Sequence, residues 1–138
     1  VSDFVLDASL ALQWFLEDET DRQYSLEILA SLSEKRALVP MLWFYEVRNG
    51  LLMAFRCKRI SLEQIAGFLT RLTALPIEAA DQSPSEILAL PVLAQAHGLT
   101  NYDEAYLALA AQSDLPLATM DFNLRKAAES AGVKIVRI

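Results

Sequence analysis

The sequence is short of the residues most chemistries need. It has one cysteine, Cys57, and one histidine, His97. One thiol cannot close an internal disulfide, which suits a reducing compartment. Arg56 and Lys58 flank Cys57 and could favour a thiolate, but only one histidine is present to serve as its base. A quiet helix cysteine is the plainer reading. His97 stands in "QAHGL" before a helix-ending Gly98, where a C-terminal cap accounts for it. Without a His pair, a Cys cluster, a P-loop or a G-x-G-x-x-G, most nucleophilic, zinc and dinucleotide chemistries lack their parts. Glycine and proline are scarce, at 4 and 5, which argues against a turn-rich all-β fold and against disorder. No apolar run approaches the ~18–20 residues a membrane span needs. "VSDFVLDAS" carries an acid and no basic n-region, so it does not read as a signal peptide. The expectation is a soluble cytoplasmic protein.

What is present is a chain of 138 residues, 54% hydrophobic, enough for one domain with a sizeable core. Its net charge is −6, the wrong sign for a general nucleic-acid coat. A nuclease is not excluded, because divalent cations held by acids would cancel much of that charge locally.

A short apolar run followed by a helix recurs along the chain. "FVLDA" (4–8) precedes "SLALQWFLED", and "ALVP" (37–40) precedes "MLWFYEVRNGLLMAFRCK". "LPIEA" (75–79) precedes "SPSEILALPVLAQAHG", where Ser83 reads as N-cap, Pro84 as N1 and Pro91 as a break. "PLATM" (116–120) precedes "DFNLRKAAESAG", with Gly132 ending the helix, and "KIVRI" (134–138) reads as a last strand. Further helices fit 20–34 and 61–73, the second opened by a Ser61/Gln64 capping box. Apolar strands alternating with helices predict an α/β domain of about five short parallel strands flanked by helices. In such sheets ligands bind beyond the C-terminal strand ends.

Four acids stand out against this pattern. Asp7 ends the first strand in "VLD", and Asp121 follows the fourth in "LATMD". Either could simply cap the next helix, but each has a hydroxyl nearby, Ser9 or Thr119. Glu46 follows Trp43, Phe44 and Tyr45 inside a helix, with Asn49 on the same face and Gly50 next. Gly costs a helix interior about 1 kcal/mol relative to Ala. Such local rule-breaking fits either functional constraint or close helix packing. Asp103 and Glu104 open the helical "NYDEAYLALAA" (101–111), three and four residues after Thr100. Acids are favoured in a first turn, yet a helix starting at the strand ends would also carry Asp103 to the mouth shared by Asp7 and Asp121. Oxygen-only ligands suit Mg²⁺ or Mn²⁺, and such ions at a strand-end crevice most often serve phosphoryl chemistry.

The stretches "VLDASLALQWFL" (5–16), "WFYEVRNGL" (43–51), "YDEAYLALA" (102–110) and "LATMDFNL" (117–124) resemble the PIN-domain ribonucleases, in particular the VapC-type toxins of bacterial toxin–antitoxin pairs. The resemblance spans nearly the whole chain, read as one domain, 1–138. It implies a catalytic and metal-binding quartet of Asp7, Glu46, Asp103 and Asp121 around one or two Mg²⁺ or Mn²⁺ ions. Ser9 and Thr119 would orient ligands or water, and Asn49 would hold Glu46. It implies an RNA substrate, a homodimer and a small antitoxin lying over the active-site groove. Trp14, Phe15 and Leu16 on the first helix and Met53 and Phe55 on the third offer apolar surface for these partners, unless all are core. Arg48, Arg56, Lys58, Arg59, Arg125 and Lys126 are candidate RNA contacts, unless they are merely solvated. Two other readings compete. A haloacid-dehalogenase-type phosphatase also ends its first strand in Asp, but it wants an acid where this chain has Ser9. A PIN-like interaction module without cleavage would not need all four acids.

Overall fold

The computed structural model describes residues 1–137. Four of the short apolar runs become strands, and the stretches between them become helices. The order is β1 (Phe4–Leu6), α1 (Ala8–Phe15), α2 (Gln23–Ser31), β2 (Ala37–Val39), α3 (Leu42–Arg56), α4 (Leu62–Thr73), β3 (Ile77–Ala79), α5 (Pro84–Ile87), α6 (Val92–His97), α7 (Asn101–Ser113), β4 (Leu117–Ala118) and α8 (Phe122–Ser130). The four strands form one parallel sheet in the order β3-β2-β1-β4. Val5 is the register pivot, paired with Leu38 on one side and Leu117 on the other. Phe4, Val5, Leu6, Leu117 and Ala118 are fully or almost fully buried, as strands covered by helices on both faces must be.

Of the fifth strand expected over 134–138, the described residues form a single parallel bridge, from Ile135 to Leu117. Leu117 donates its N–H to the Lys134 carbonyl, and its own carbonyl accepts from the Val136 N–H. Residue 138 lies outside the described residues.

Local signals set most boundaries. Ser61 with Gln64 and Ser83 with Glu86 form reciprocal capping boxes. Pro91 separates α5 from α6, and Gly98 and Gly132 adopt left-handed φ of 64° and 79° at helix ends. Gly50 answers to packing. A Cβ there would fall within the Leu12 side chain, so glycine lets α3 lie close against α1.

Trp14, Phe15 and Leu16 are core, at 6%, 7% and 5% exposure, and leave no surface for a partner. The Trp14 indole donates to the Ser25 carbonyl, and Phe15 stacks on Phe68. Met53 and Phe55, on the outer side of α3, are exposed. Among the described residues no helix is long and apolar enough to cross a membrane.

Candidate active site

The chain runs from β1 outward to β2 and β3, then returns to place β4 on the other side of β1. The strand order therefore reverses between β1 and β4. In parallel sheets the loops part at such a point and leave a crevice beyond the strand ends. Asp7 leaves β1 there, and Asp121 lies three residues beyond β4.

Asp7 is 7% exposed. Its Oδ2 accepts from the Thr119 hydroxyl at 2.7 Å and from the Ser9 hydroxyl at 2.9 Å, and its carboxylate also receives the Ser9 N–H as the N-cap of α1. Thr119 is fully buried and works in both directions, since its Oγ1 also accepts the Asp121 N–H at 3.1 Å. Asp121 caps α8 through the Leu124 N–H at 2.9 Å, with the rest of its carboxylate exposed. Capping and a place in the crevice thus coexist in both aspartates.

Asp103 stands in the first turn of α7, half-buried, and Thr100 caps that helix by accepting the Asp103 N–H at 3.0 Å. Its neighbour Glu104 has a separate task, accepting the Ala94 N–H at 2.7 Å and so fastening α6 to α7. Glu46, half-buried on α3, accepts from the Tyr106 hydroxyl at 2.5 Å. Asn49 is exposed and does not hold Glu46; Tyr106, on α7, takes the role expected of it. Tyr106 lies on the Asp103 face of its helix at i+3, the one sequence signal that could have pointed to it.

The acids feel one another. Burial lifts the carboxyls of Asp7, Glu46 and Asp103 above their ordinary values, Asp7 against the pull of its Thr119 and Ser9 hydrogen bonds. Like charge adds to this: Asp121 acts on Asp7, Asp7 and Asp103 on Glu46, and Asp121 and Asp7 on Asp103. Asp7 and Asp121 thus meet through Thr119 at the switch point, and Glu46 and Asp103 are near enough to feel the charge of Asp7. Their oxygen-only donors and unbalanced charge suit a hard divalent cation. Among the described residues, no three His, Cys, Asp or Glu side chains are grouped so that they could hold an ion as they stand. The carboxylates would have to turn inward to share one.

The candidate RNA contacts divide. Arg59 is bound to Asp18 and Glu19. Arg125 is committed as well, its Nε donating to the Thr119 carbonyl and its guanidinium lying 4.8 Å over the Tyr24 ring. Arg48, Arg56, Lys58 and Lys126 remain exposed.

Fold and crevice define an α/β protein with acids gathered where its parallel sheet changes direction. Residues 4–130 match the family model of the PIN domain, and the chain belongs to that family. No curated protein sequence matches it. Among solved structures, it is similar to PAE2754 from Pyrobaculum aerophilum, at 22% identity and a TM-score of 0.69 over 91% of this chain and 84% of that one. A toxin–antitoxin complex from Klebsiella pneumoniae matches at 18% identity and a TM-score of 0.63, covering 91% and 90% of the two chains. FitAcB from Neisseria gonorrhoeae matches at 20% identity and 0.55, covering 97% and 96%. At these identities the likeness is one of fold. The family match removes the phosphatase reading, and the Ser9 position, where that chemistry wants an acid, carries a hydroxyl bonded to Asp7.

Proposed function

We propose that this protein is a divalent-metal-dependent endoribonuclease, acting in the cytoplasm as the toxin of a VapBC-type toxin–antitoxin pair. The observation that carries the reading is the crevice at the β1/β4 switch point, where Asp7, Glu46, Asp103 and Asp121 act on one another with no basic side chain paired to them among the described residues. Membership of the PIN family, whose domains are generally nucleases, supports it, and so does the fold shared with a toxin from a toxin–antitoxin complex.

In this reading the four acids hold one or two Mg²⁺ or Mn²⁺ ions. When bound, the ion acidifies water and neutralises charge on a phosphodiester. The chain supplies position. Thr119 and Ser9 fix the orientation of Asp7, and Thr119 ties it to the Asp121 backbone, so the β1 and β4 ends move as one. The exposed cations Arg48, Arg56, Lys58 and Lys126 would meet phosphates, which aligns RNA without reading its sequence.

The partners are a small antitoxin over the acidic crevice and a second copy of the chain. The surface for the second copy would be the exposed Met41, Tyr45, Met53 and Phe55 of α3 and its N-terminal turn, with Ile87, Leu88 and Leu90 beside α5. Of these, Met41, Ile87 and Leu90 line a groove of about 390 Å³ between α5–α6 and α7.

The test is cleavage of structured RNAs by purified protein. Internal cuts in Mg²⁺ or Mn²⁺, abolished by EDTA, are the expected outcome. Full cleavage in EDTA would sink the metal mechanism. No cleavage of any RNA, with antitoxin binding intact, would favour a non-catalytic PIN-like module.

A further inference from the structure

Tyr106 is 1% exposed, its ring packed in the core with Leu107, Leu109 and Ala110 of the same helix. A phenol buried so deeply needs a partner for its O–H, and many neutral acceptors would serve. Here the acceptor is the carboxylate of Glu46, on another helix, at 2.5 Å. Between a phenol and a carboxylate the O–H donates, so Tyr106 is the donor in this pair. Asp103 lies one turn before Tyr106 on α7. One oxygen atom therefore links Glu46 on α3 to the helix that carries Asp103. It occupies only Oε1 of Glu46, and no other side-chain or backbone donor holds that carboxylate among the described residues.

We infer that Tyr106 is a positioning residue for the nuclease site: its hydroxyl holds Oε1 of Glu46 and leaves the second carboxylate oxygen, Oε2, available to a divalent cation. This rests on the metal-dependent reading above. A merely structural tyrosine would satisfy its own buried hydroxyl and leave the site indifferent to its removal.

Tyr106→Phe keeps the ring and removes only the donor. The measurements are Mn²⁺ binding by calorimetry, RNA cleavage resolved into kcat and KM, and thermal unfolding in EDTA. Removing a hydrogen-bond partner of a metal ligand typically costs about 10–100-fold in affinity or activity. The expected result is an Mn²⁺ affinity weaker by about that factor, a matching fall in kcat, an unchanged KM for RNA and a folded protein. A second readout needs no variant activity. Adding Mn²⁺ to the wild type should shift the near-ultraviolet tyrosine absorbance, and the shift should vanish in Tyr106→Phe. If the wild type binds and cuts while Tyr106→Phe does so equally well, the inference is overturned and the nuclease reading stands. If the wild type neither binds Mn²⁺ nor cuts RNA, the nuclease reading fails and takes this role with it. A Tyr106→Phe chain that does not fold would make the tyrosine structural and overturn the inference, unless the wild-type absorbance shift is present and is abolished by Glu46→Gln.

Discussion

Asp18 and Glu19 share a guanidinium, whereas Asp7, Glu46, Asp103 and Asp121 share none. The first two lie in the loop after α1, exposed, and Arg59 reaches them from the turn after α3 at 2.6 and 2.9 Å. Their contact with Arg59 pulls the Asp18 carboxyl below its ordinary value. In the crevice, burial pushes Asp7, Glu46 and Asp103 the other way. The residue types are the same and the environments are opposite. The neutralised pair is complete as it stands. The crevice is short of positive charge, the imbalance that the proposed metal ion would relieve.

Removing one charge from the crevice should have the largest effect. Asp103→Asn should lower RNA cleavage by more than about 100-fold, beyond the usual cost of removing a ligand's hydrogen-bond partner. The metal-free protein should be as stable as the wild type or more so, because the substitution relieves like charge while Thr100 still caps α7. Were Asp103 only a first-turn acid, its replacement would cost about 0.3–1 kcal/mol and activity would survive. Thermal unfolding in EDTA and cleavage in Mg²⁺ separate the two. A less stable but active variant would take Asp103 out of the site.

A second effect is pH dependence. Asp7, Glu46 and Asp103 hold protons more readily folded than unfolded. In the window from the ordinary carboxylate range up to their raised values, the native state binds more protons, so stability falls as pH rises. Asp18 has the opposite sign: its contribution is present above the ordinary range and is lost as pH falls through its lowered value. In EDTA, acidifying from neutral pH towards the ordinary carboxylate range should therefore raise the melting temperature. Saturating Mn²⁺ should remove that gain, since protons and metal compete for the same oxygens. Melting temperatures that fall on acidification in EDTA would mean that paired acids, not the crevice, govern the charge balance.

Much of this contrast was legible in the sequence, and the reasons for the rest are physical. Caps and breakers act over three or four residues, so Ser61, Ser83, Pro91 and Gly132 marked their boundaries well. Asp7 and Asp121 stood out because a strand end followed by an acid is a local pattern too. The last strand is shorter than expected because "KIVRI" has the right residues, but among those described only Ile135 finds a bridging partner, in Leu117. Trp14 and Phe15 looked surplus because α4 and α2, which cover them, are distant in sequence or not obviously packed there. The partner of Glu46 was missed for the same reason. Asn49 is a helical neighbour at i+3, while Tyr106 is 60 residues away. The commitments of Arg59 and Arg125 depend on tertiary contacts of this kind, and charge alone did not reveal them.

The smallest effect belongs to the neutralised cluster, and it sharpens the contrast by being small. Arg59 joins the loop after α1 to the turn before α4 through a bidentate contact with Asp18, Nε at 2.8 Å and Nη2 at 2.6 Å. Bidentate geometry favours such a pair, but exposure and side-chain entropy leave surface pairs contributing little. Arg59→Gln should lower the melting temperature slightly at low salt. The difference should fade near 1 M salt, where the screening length is about 3 Å. Mn²⁺ affinity and cleavage should not change. RNA binding offers a finer distinction. Removing a side chain that neutralises one phosphate should reduce the slope of log affinity against log salt by about 0.7 for a single strand. Arg59→Gln should leave that slope alone, because its guanidinium is already spent on Asp18 and Glu19. Lys126→Gln, on α8 behind Asp121, should reduce it. If Arg59→Gln instead flattened the slope or stopped cleavage, the paired acids would belong to the RNA-binding surface, and the division between the two clusters would fall.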